Sequence, residues 1–366
     1  MTANLTPLAA SLPATVPFIG PETQERGLGT VFRARLGANE SMFGPSPRAI
    51  AALQAAASDV WMYGDPENHA LKAALAVHHG VGADTIVVGE GIDGLLGTLV
   101  RLLVAPGDHV VTSLGAYPTF NFHVTGCGGN LIRVPYLGNH ENPEALLAGA
   151  RAYKAKMIYL SNPDNPMGSH HSGAVITDMI NAMPDGCLLV LDEAYIDLAP
   201  DGTAANVARD DPRVIRMRTF SKAYGLAGLR VGYAIAAPAL AQAFDKLRNH
   251  FGVGRVAQAG ALAALHDPHH ISHVRGQIAT ARLQLIQIAT DNGITALPSA
   301  TNFTCLDLGR DGDYARAILR ALTDLGVFVR MPGVAPLDRC IRVTHGTPAA
   351  MDVFADALPQ AVKSVG

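Results

Sequence analysis

The length, composition and charge of the chain indicate a large globular protein and exclude two classes of partner. The 366 residues are 49% hydrophobic, and 28 lysines and arginines against 31 aspartates and glutamates give a formal net charge of −3. Because a chain of this size can bury a large core, we expect one large domain plus a smaller one. Because the chain has no basic run of five or more residues, we exclude nucleic acid and anionic membranes as partners.

The N-terminal segment and the cysteines both favour a soluble, cytoplasmic protein. The first residues, MTANLTPLAASLPATVPFIG, have no basic start and contain three prolines, so they form a poor signal peptide. No uninterrupted apolar run is long enough to cross a bilayer. The cysteines lack CxxC spacing, which favours reduced thiols over disulfides or zinc; they are Cys127, Cys187, Cys305 and Cys340.

The predicted elements between residues 46 and 262 alternate between short strands and helices. The strand-like runs are apolar and rich in β-branched residues: TIVVGEG, HVVTSLG, GNLIRVPY, AKMIYLSNP, CLLVLDEAY, VIRMRTFS and RVGYAIAA. Stretches with helical periodicity, such as Leu95 to Val104 and Val175 to Ala182, lie between some of them. This alternation is typical of a mostly parallel sheet covered by helices on both faces.

A histidine-rich stretch, HDPHHISH, follows this region. Its histidines share one face of a predicted helix, but Pro268 lies among them and no cysteine or carboxylate set completes a metal site; they are His266, His269, His270 and His273. A solvated helix junction is the favoured interpretation, and we predict no metal.

The C-terminal part predicts a separate α+β unit. A long helix ends at Gly293, and TNFTCLDLG, the helix GDYARAILRALTDLG, the strands VFVRMP and CIRVTHG, and a helix from Pro348 follow. We predict an N-terminal arm over 1–45, a large domain over 46–265 and a small α+β domain over 266–366. The arm, with Phe18 and several prolines, is apolar enough to pack on the small domain and on a partner surface.

Unusual residues gather in the loops that follow five of the predicted strands. These loops read GEGIDG, SLGAYPTF, LSNPDNPMG, LDEAY and RTFSKAYG. Ligands of open parallel sheets bind at the carboxyl ends of the strands. The sequence therefore predicts that the five loops converge on one site.

Lys222 is the central residue of the last loop. By itself it reads as a solvated surface lysine, but a lysine beyond a strand end can also present a nucleophilic amine to an aldehyde. Thr219, Ser221 and Arg230 surround it with two hydroxyls and a guanidinium, which suit a phosphate dianion. The glycines of GEGIDG open a helix whose N–H groups suit the same anion.

The other loops supply groups for an aromatic ring. Asp192 ends a strongly apolar strand, where a buried carboxylate needs a cation such as a protonated pyridine nitrogen. Tyr195 and Asn165 can donate to a phenolate oxygen, and Tyr117 offers a face for stacking. Each has an ordinary structural explanation as a cap, a core residue or a turn. Together, however, they match the aldehyde, ring nitrogen, phenolate and phosphate of pyridoxal 5′-phosphate.

The ordered set of motifs resembles the fold-type I pyridoxal-phosphate enzymes of the class I/II aminotransferases, in the histidinol-phosphate aminotransferase branch. The likeness spans nearly the whole chain through LGANESMFGPSP, YGDPENHALKAALA, NPDNPMG, LDEAY, TFSKAYGLAGLRVGY and IRVTHGT. It implies an α/β fold with a mostly parallel seven-stranded sheet flanked by helices, a smaller α+β domain and a homodimer. It also implies a ping-pong transamination between an amino donor and a 2-oxo acid acceptor.

The resemblance assigns roles to individual residues. Lys222 would be the Schiff-base lysine, Asp192 the catalytic partner of the ring nitrogen, and Tyr195 with Asn165 the donors to the ring oxygen. Tyr117 would stack on the ring. The phosphate would be held by Thr219, Ser221, Arg230, the backbone of Gly91 and Ile92, and Tyr63 from a neighbouring subunit. The substrate would be bound by Arg342, Arg330 and Asn39.

The sequence departs from the family pattern in three places, of which cofactor binding should tolerate the first two and the third leaves the substrate open. Ile92 replaces a small hydroxyl residue, Met167 replaces the threonine of NPTG, and Val334, Ala335 and Pro336 replace an aromatic residue and a glycine. Histidinol phosphate with 2-oxoglutarate is the leading pair, and aromatic amino acids are the next. A decarboxylase resembling threonine-phosphate decarboxylase is one alternative, which release of carbon dioxide without dependence on a keto acid would reveal. A non-catalytic sensor that binds the cofactor is another, which a variant without the Lys222 amine that keeps its biological role would reveal.

Overall fold

The computed structural model of the chain describes residues 4–14 and 19–366. Phe18, for which the sequence predicts a partner surface, lies outside these residues. The N-terminal part contains short elements that end in two longer helices: α1 (Pro7–Ser11), α2 (Pro21–Leu28), β1 (Ala34–Arg35), α3 (Pro47–Ala56) and α4 (His69–His79). None of the described helices is both long enough and apolar enough to cross a membrane.

A seven-stranded sheet forms the centre of the molecule, in the spatial order β2-β8-β7-β6-β5-β3-β4. Within it β8 alone runs antiparallel to its neighbours. Each strand falls in one of the apolar runs of the sequence: β2 (Ile86–Gly89), β3 (His109–Ser113), β4 (Asn130–Val134), β5 (Met157–Ser161), β6 (Leu188–Asp192), β7 (Val214–Thr219) and β8 (Gly232–Ile235). The predicted mostly parallel sheet is confirmed.

Helices cover both faces of this sheet. They are α5 (Gly91–Leu103), α6 (Pro118–Gly126), α7 (Pro143–Tyr153), α8 (Gly173–Asn181), α9 (Pro238–Ala243) and α10 (Arg255–Leu265). Successive strand residues point to opposite faces, so Val110 packs in a core with α5 and α6, whereas Val111 packs in a core with α7 and α8. Burial on both faces explains why the strands read as continuous apolar runs.

Helix α5 begins four residues earlier than its periodicity predicts. Its first turn contains Gly91 and Gly94, and glycine is a weak helix former, so the pattern becomes visible only at Leu95. The early start places the N-terminus of α5 directly after β2, and Gly232 of β8 packs so closely on Gly91 that a Cβ there would lie 2.8 Å from the Gly91 carbonyl carbon.

The C-terminal part contains a second set of elements: α11 (Pro268–Asp291), β9 (Thr295–Ala296), β10 (Phe303–Asp307), α12 (Gly312–Asp324), β11 (Val327–Phe328), β12 (Cys340–Thr344) and α13 (Pro348–Val365). Strands β12, β10 and β9 form an antiparallel sheet. Strand β11 pairs with β1 of the N-terminal segment, which ties that segment to this part of the fold.

The run VFVRMP forms a shorter strand than the sequence predicts. Its first two residues pair with β1, and Arg330 instead forms an isolated antiparallel bridge with Arg342 of β12. The backbone N–H of Arg342 donates to the Arg330 carbonyl at 2.6 Å. The run is therefore divided between two partners, which brings both arginines to the same place.

Helix α11 contributes to two hydrophobic cores. Val274 and Ile278 in its first half pack with α4 and α10 beside the large sheet. Leu285 and Ile288 in its second half pack with α12 and α13. One continuous helix therefore connects the two cores.

Candidate active site

A cavity of about 250 Å³ lies at the carboxyl ends of the central strands. All five predicted loops contribute to its lining, with Ile92, Tyr117, Asn165, Asp192, Tyr195, Thr219, Ser221, Lys222 and Arg230. A neighbouring cavity of about 570 Å³ shares four of these residues and adds Asn39, Arg330 and Arg342. The structure thus brings nearly all of the predicted site residues around one continuous opening.

The Lys222 amine lies at the boundary between the two cavities. Its Nζ donates to the backbone carbonyl of Asn39 at 3.0 Å and lies 5.5 Å from the centre of the Tyr195 ring. Removal of the amine from bulk water, together with the nearby charge of Arg342, lowers the pKa of Lys222 to about 8. About a tenth of the amine is therefore neutral and nucleophilic at pH 7, far more than for an ordinary lysine.

Asp192 is the last residue of β6 and is buried. Its Oδ2 accepts a hydrogen bond from the Tyr159 hydroxyl at 2.6 Å, and its Oδ1 accepts one from the backbone N–H of Ala194 at 2.9 Å. Burial raises the pKa of Asp192, and both hydrogen bonds oppose that rise. Sequence reasoning missed Tyr159, because a tyrosine inside an apolar run carries no signal beyond strand propensity.

Two hydroxyls and a guanidinium form a cup at one end of the smaller cavity. The Thr219 hydroxyl donates to Ser221 Oγ at 2.9 Å, and Arg230 Nη1 donates to the same oxygen at 3.3 Å. Gly91 at the start of α5 has φ +74°, and a Cβ there would lie 2.4 Å from Arg230 Nη2. Glycine therefore lets the arginine approach the helix N-terminus, where Ile92 lines the same cavity. Such a combination suits a phosphate dianion.

Asn39 connects the amine to the tyrosine. Its Nδ2 donates to the Tyr195 hydroxyl at 3.1 Å, while its backbone adopts the left-handed region with φ 56°. Asn302 Nδ2 donates to the Asn39 carbonyl at 3.0 Å, so the same oxygen accepts from Asn302 and Lys222. Asn302 was also missed, because it precedes β10, far from every recognised motif. The Tyr195 hydroxyl keeps its proton, since burial raises its pKa.

Arg342 is held beside Asn165 by neutral groups. Its Nη1 donates to Asn165 Oδ1 at 2.5 Å, its Nη2 donates to the Gly37 carbonyl at 3.1 Å, and its Nε has no hydrogen-bond partner. No carboxylate of the described residues forms an ion pair with Arg342. Arg330 lines the same cavity and donates to the Ile19 carbonyl at 2.9 Å. A half-buried cation in this state can accept an anionic ligand.

The two remaining tyrosines differ in position. Tyr117 immediately precedes α6 and lines both cavities, where burial raises its pKa and keeps the phenol neutral. Tyr63 is 78% exposed and its ring lies 4.8 Å from that of Phe251, outside the lining of either cavity. Within one chain Tyr63 is not part of the site, so its contact with a neighbouring phosphate stays a prediction.

The departures from the family pattern are accommodated by packing. Ile92 is buried in the core beneath α5, and Met167 packs with Cys305, Leu337 and Cys340. Val334 lines the larger cavity beside Gly115. Ile92 also lines the smaller cavity, where it supplies an apolar side chain instead of a hydroxyl, and Val334 alters the wall of the larger cavity.

These residues fit pyridoxal 5′-phosphate in each of its functional groups. The buried Asp192 carboxylate suits the ring nitrogen, the Lys222 amine suits the aldehyde, and the cup against Gly91, where a side chain would collide with Arg230, suits the phosphate. Tyr195 and Asn165 lie at the cavity wall between these ends. When bound, the cofactor supplies an electron sink for bond cleavage at the substrate α-carbon.

Comparisons with known proteins agree with this site. The family model "Aminotransferase class I and II" matches residues 34–358. The chain is 51% identical, with a TM-score of 0.97, to a histidinol-phosphate aminotransferase from Sinorhizobium meliloti solved with pyridoxal 5′-phosphate, over 100% of this chain and 99% of that one.

Relatives with known names extend the comparison. A histidinol-phosphate aminotransferase from Moorella thermoacetica is 34% identical over 95% of this chain and 90% of its own length. Histidinol-phosphate aminotransferase 1 from Mesorhizobium japonicum is 36% identical over 89% of this chain and 90% of its own length. The predicted cofactor and transaminase activity are confirmed by these matches, and the chain belongs to the class I and II aminotransferases, in the group that contains the histidinol-phosphate aminotransferases.

Proposed function

We propose that this aminotransferase transfers the amino group of histidinol phosphate to 2-oxoglutarate. The observation that carries the proposal is the half-buried Arg342 guanidinium, which has only neutral acceptors and lies in one cavity with Arg330 and the Lys222 amine. Two arginines beside a reactive amine suit a substrate that pairs an amino group with an anion, here a phosphate ester or a carboxylate. The whole-length similarity to histidinol-phosphate aminotransferases supports this substrate pair.

Individual residues have defined tasks in this proposal. The Lys222 amine would take the proton from the substrate α-carbon and deliver it to the cofactor carbon within the same half-reaction, and it would move a proton in the reverse direction in the second half-reaction. A pKa of about 8 suits this proton transfer near neutral pH. Asp192 holds the proton of the ring nitrogen, and Tyr195 and Asn165 donate to the ring oxygen. Arg342 and Arg330 bind the substrate anion, and Asn39 orients Tyr195.

We also propose a homodimer in which Tyr63 contacts the phosphate in the partner's site. Its support is a group of exposed aromatic side chains, namely Trp61 (80% exposed), Tyr63 (78%) and Phe251 (51%). Monomeric proteins seldom expose several large apolar side chains close together in the sequence and structure. A cytoplasmic location is consistent with the unpaired state of all four cysteines.

The division into an arm (1–45), a large domain (46–265) and a small domain (266–366) also stays a proposal. Separate hydrophobic cores on either side of α11 support it. The proposed boundary at residue 266 lies just before α11. The first half of that helix nevertheless packs in the core beside the large sheet, and only its second half packs in the C-terminal core.

The half-reaction of the purified yellow protein tests the substrate. The protein is mixed with histidinol phosphate, glutamate, phenylalanine or threonine phosphate without an acceptor, and the cofactor absorbance is followed. We expect conversion to the pyridoxamine form with histidinol phosphate and with glutamate, and none in a Lys222→Ala control.

The other outcomes redirect the proposal. Conversion by phenylalanine without conversion by histidinol phosphate would assign the enzyme to aromatic amino acids. Release of carbon dioxide from threonine phosphate would contradict transamination of that donor and indicate decarboxylation.

A further inference from the structure

A hydrogen-bonded chain of three side chains runs beneath the smaller cavity. Ser161 Oγ donates to the Tyr159 hydroxyl at 3.2 Å, and that hydroxyl donates to Asp192 Oδ2 at 2.6 Å. In the paired strands β5 and β6, Ser161 lies opposite Asp192 and Tyr159 lies opposite Val190, so the Tyr159 hydroxyl reaches Asp192 along the strand direction; Tyr159 is completely buried. Ser161 lines the cavity, whereas Tyr159 does not.

The orientation of the Tyr159 proton follows from this chain. A phenol has a single O–H donor, and Ser161 already donates to its oxygen, so the proton of Tyr159 points to Asp192. The Tyr159 ring is stacked on Phe120 of α6, with ring centres 4.6 Å apart and planes 17° apart. Because both rings are fully buried, the hydroxyl has no second position to occupy.

We propose that Tyr159 is a positioning residue that holds the negative charge on Asp192 and thereby keeps the proton on the cofactor's ring nitrogen. The inference rests on the proposed role of Asp192. A hydrogen bond from Tyr159 stabilises the ionised carboxylate, which otherwise becomes a stronger base in its buried surroundings. Without that bond Oδ2 draws the proton away from the ring, so the ring becomes less cationic and withdraws electrons less strongly.

The charged side chains near Tyr159 and Asp192 form their hydrogen bonds and ion pairs with other groups. Glu193 follows Asp192 but is bound by Arg216 and Arg218 through its own oxygens. Glu141 faces Tyr159 and binds Ser113 and the backbone of Ser161 instead. Lys222 is a cation that faces Asp192, but its Nζ donates to the Asn39 carbonyl and not to that carboxylate.

The Tyr159→Phe holoprotein tests the inference without any substrate. A pH titration of the bound cofactor's absorbance reports the proton on the nitrogen that joins Lys222 to the cofactor. A less cationic ring retains that proton to higher pH, so we expect the midpoint to rise by about one pH unit. We also expect cofactor affinity to fall several-fold.

Kinetics and a matched control separate positioning from packing. With glutamate as donor, kcat of Tyr159→Phe should fall roughly tenfold while KM stays within about twofold. Tyr233→Phe is the control, because Tyr233 is an equally buried tyrosine of the same sheet whose hydroxyl lies 2.9 Å from His79 Nε2, and it should leave the midpoint unchanged. Loss of thermal stability with an unchanged midpoint and kcat would overturn the proposal.

A second variant decides the outcome if Tyr159→Phe does not fold. Ser161→Ala removes the donor to Tyr159 and leaves the stacked rings intact, so a smaller rise of the midpoint supports the proposal and no rise overturns it. Asp192→Asn is measured in parallel. Full turnover by that variant would contradict the role of Asp192 itself, whereas failure of histidinol phosphate as a donor leaves the titration unaffected.

Discussion

Lys222 is distinguished from other lysines by the environment of its amine. Burial and the charge of Arg342 lower its pKa to about 8. The neutral amine is the nucleophile, so the rate at which the apoprotein combines with pyridoxal phosphate should rise with pH and level off above pH 8, whereas an ordinary lysine would gain reactivity up to about pH 10.4.

Stopped-flow absorbance of the apoprotein at a series of pH values measures this dependence. Lys222→Ala serves as the control and should bind the cofactor without the covalent absorbance change and without turnover. Substantial transamination by Lys222→Ala would refute the assignment of the amine.

Arg342 offers a second test, because its guanidinium is surrounded by neutral acceptors. Arg342→Lys should raise the KM of the anionic donor roughly 10- to 100-fold, since a lysine cannot reproduce the paired N–H donors of a guanidinium. Steady-state kinetics with histidinol phosphate measure the effect. The matched control is Arg316→Ala, an arginine that forms exposed ion pairs with Asp313 and Asp338 and should leave KM unchanged. Equal effects of both variants would contradict a specific anion site at Arg342.

The start of α5 depends on one glycine. Two features of Gly91 oppose any side chain at this position. Its φ is +74°, and a Cβ atom there would lie only 2.4 Å from Arg230 Nη2. We therefore expect Gly91→Ala to weaken cofactor binding at least tenfold and to lower the free energy of unfolding by about 1 kcal/mol or more.

Equilibrium dialysis and urea denaturation measure these two quantities. Gly276→Ala is the control, because Gly276 lies inside α11 and a Cβ atom there would have no neighbour within 4 Å. This substitution should raise the free energy of unfolding by roughly 0.5–1 kcal/mol and leave cofactor affinity unchanged. Normal cofactor affinity in Gly91→Ala would show that the close approach to Arg230 is dispensable.

The elements differ in how well the sequence predicts them. The strands of the large sheet were predictable because burial on both faces requires continuous apolar runs. The loops were predictable because Lys222, Asp192 and Asn165 are chemically unusual residues at strand ends. Tyr159 and Asn302 were not, since their roles depend on contacts with residues distant in the chain, and the split pairing of VFVRMP depends on partners in β1 and β12.

The assembly of the molecule can be tested through Tyr63. In the proposed homodimer, each site combines Lys222 of one chain with Tyr63 of the other. Tyr63→Ala and Lys222→Ala should each have low activity when measured alone. A mixture that is allowed to exchange subunits should regain about a quarter of the wild-type sites, because about half of the dimers are mixed and each mixed dimer has one complete site out of two. Activity assays after mixing, with sedimentation to confirm dimers, measure the recovery. No recovery despite exchange would indicate that Tyr63 serves its own chain or neither.

Helix α11 places its 24 residues in two cores. Its central backbone hydrogen bonds therefore open only when packing is lost on both sides. Amide hydrogens near the middle of this helix should consequently exchange with solvent as slowly as those of the central sheet, and the two cores should melt as one cooperative unit.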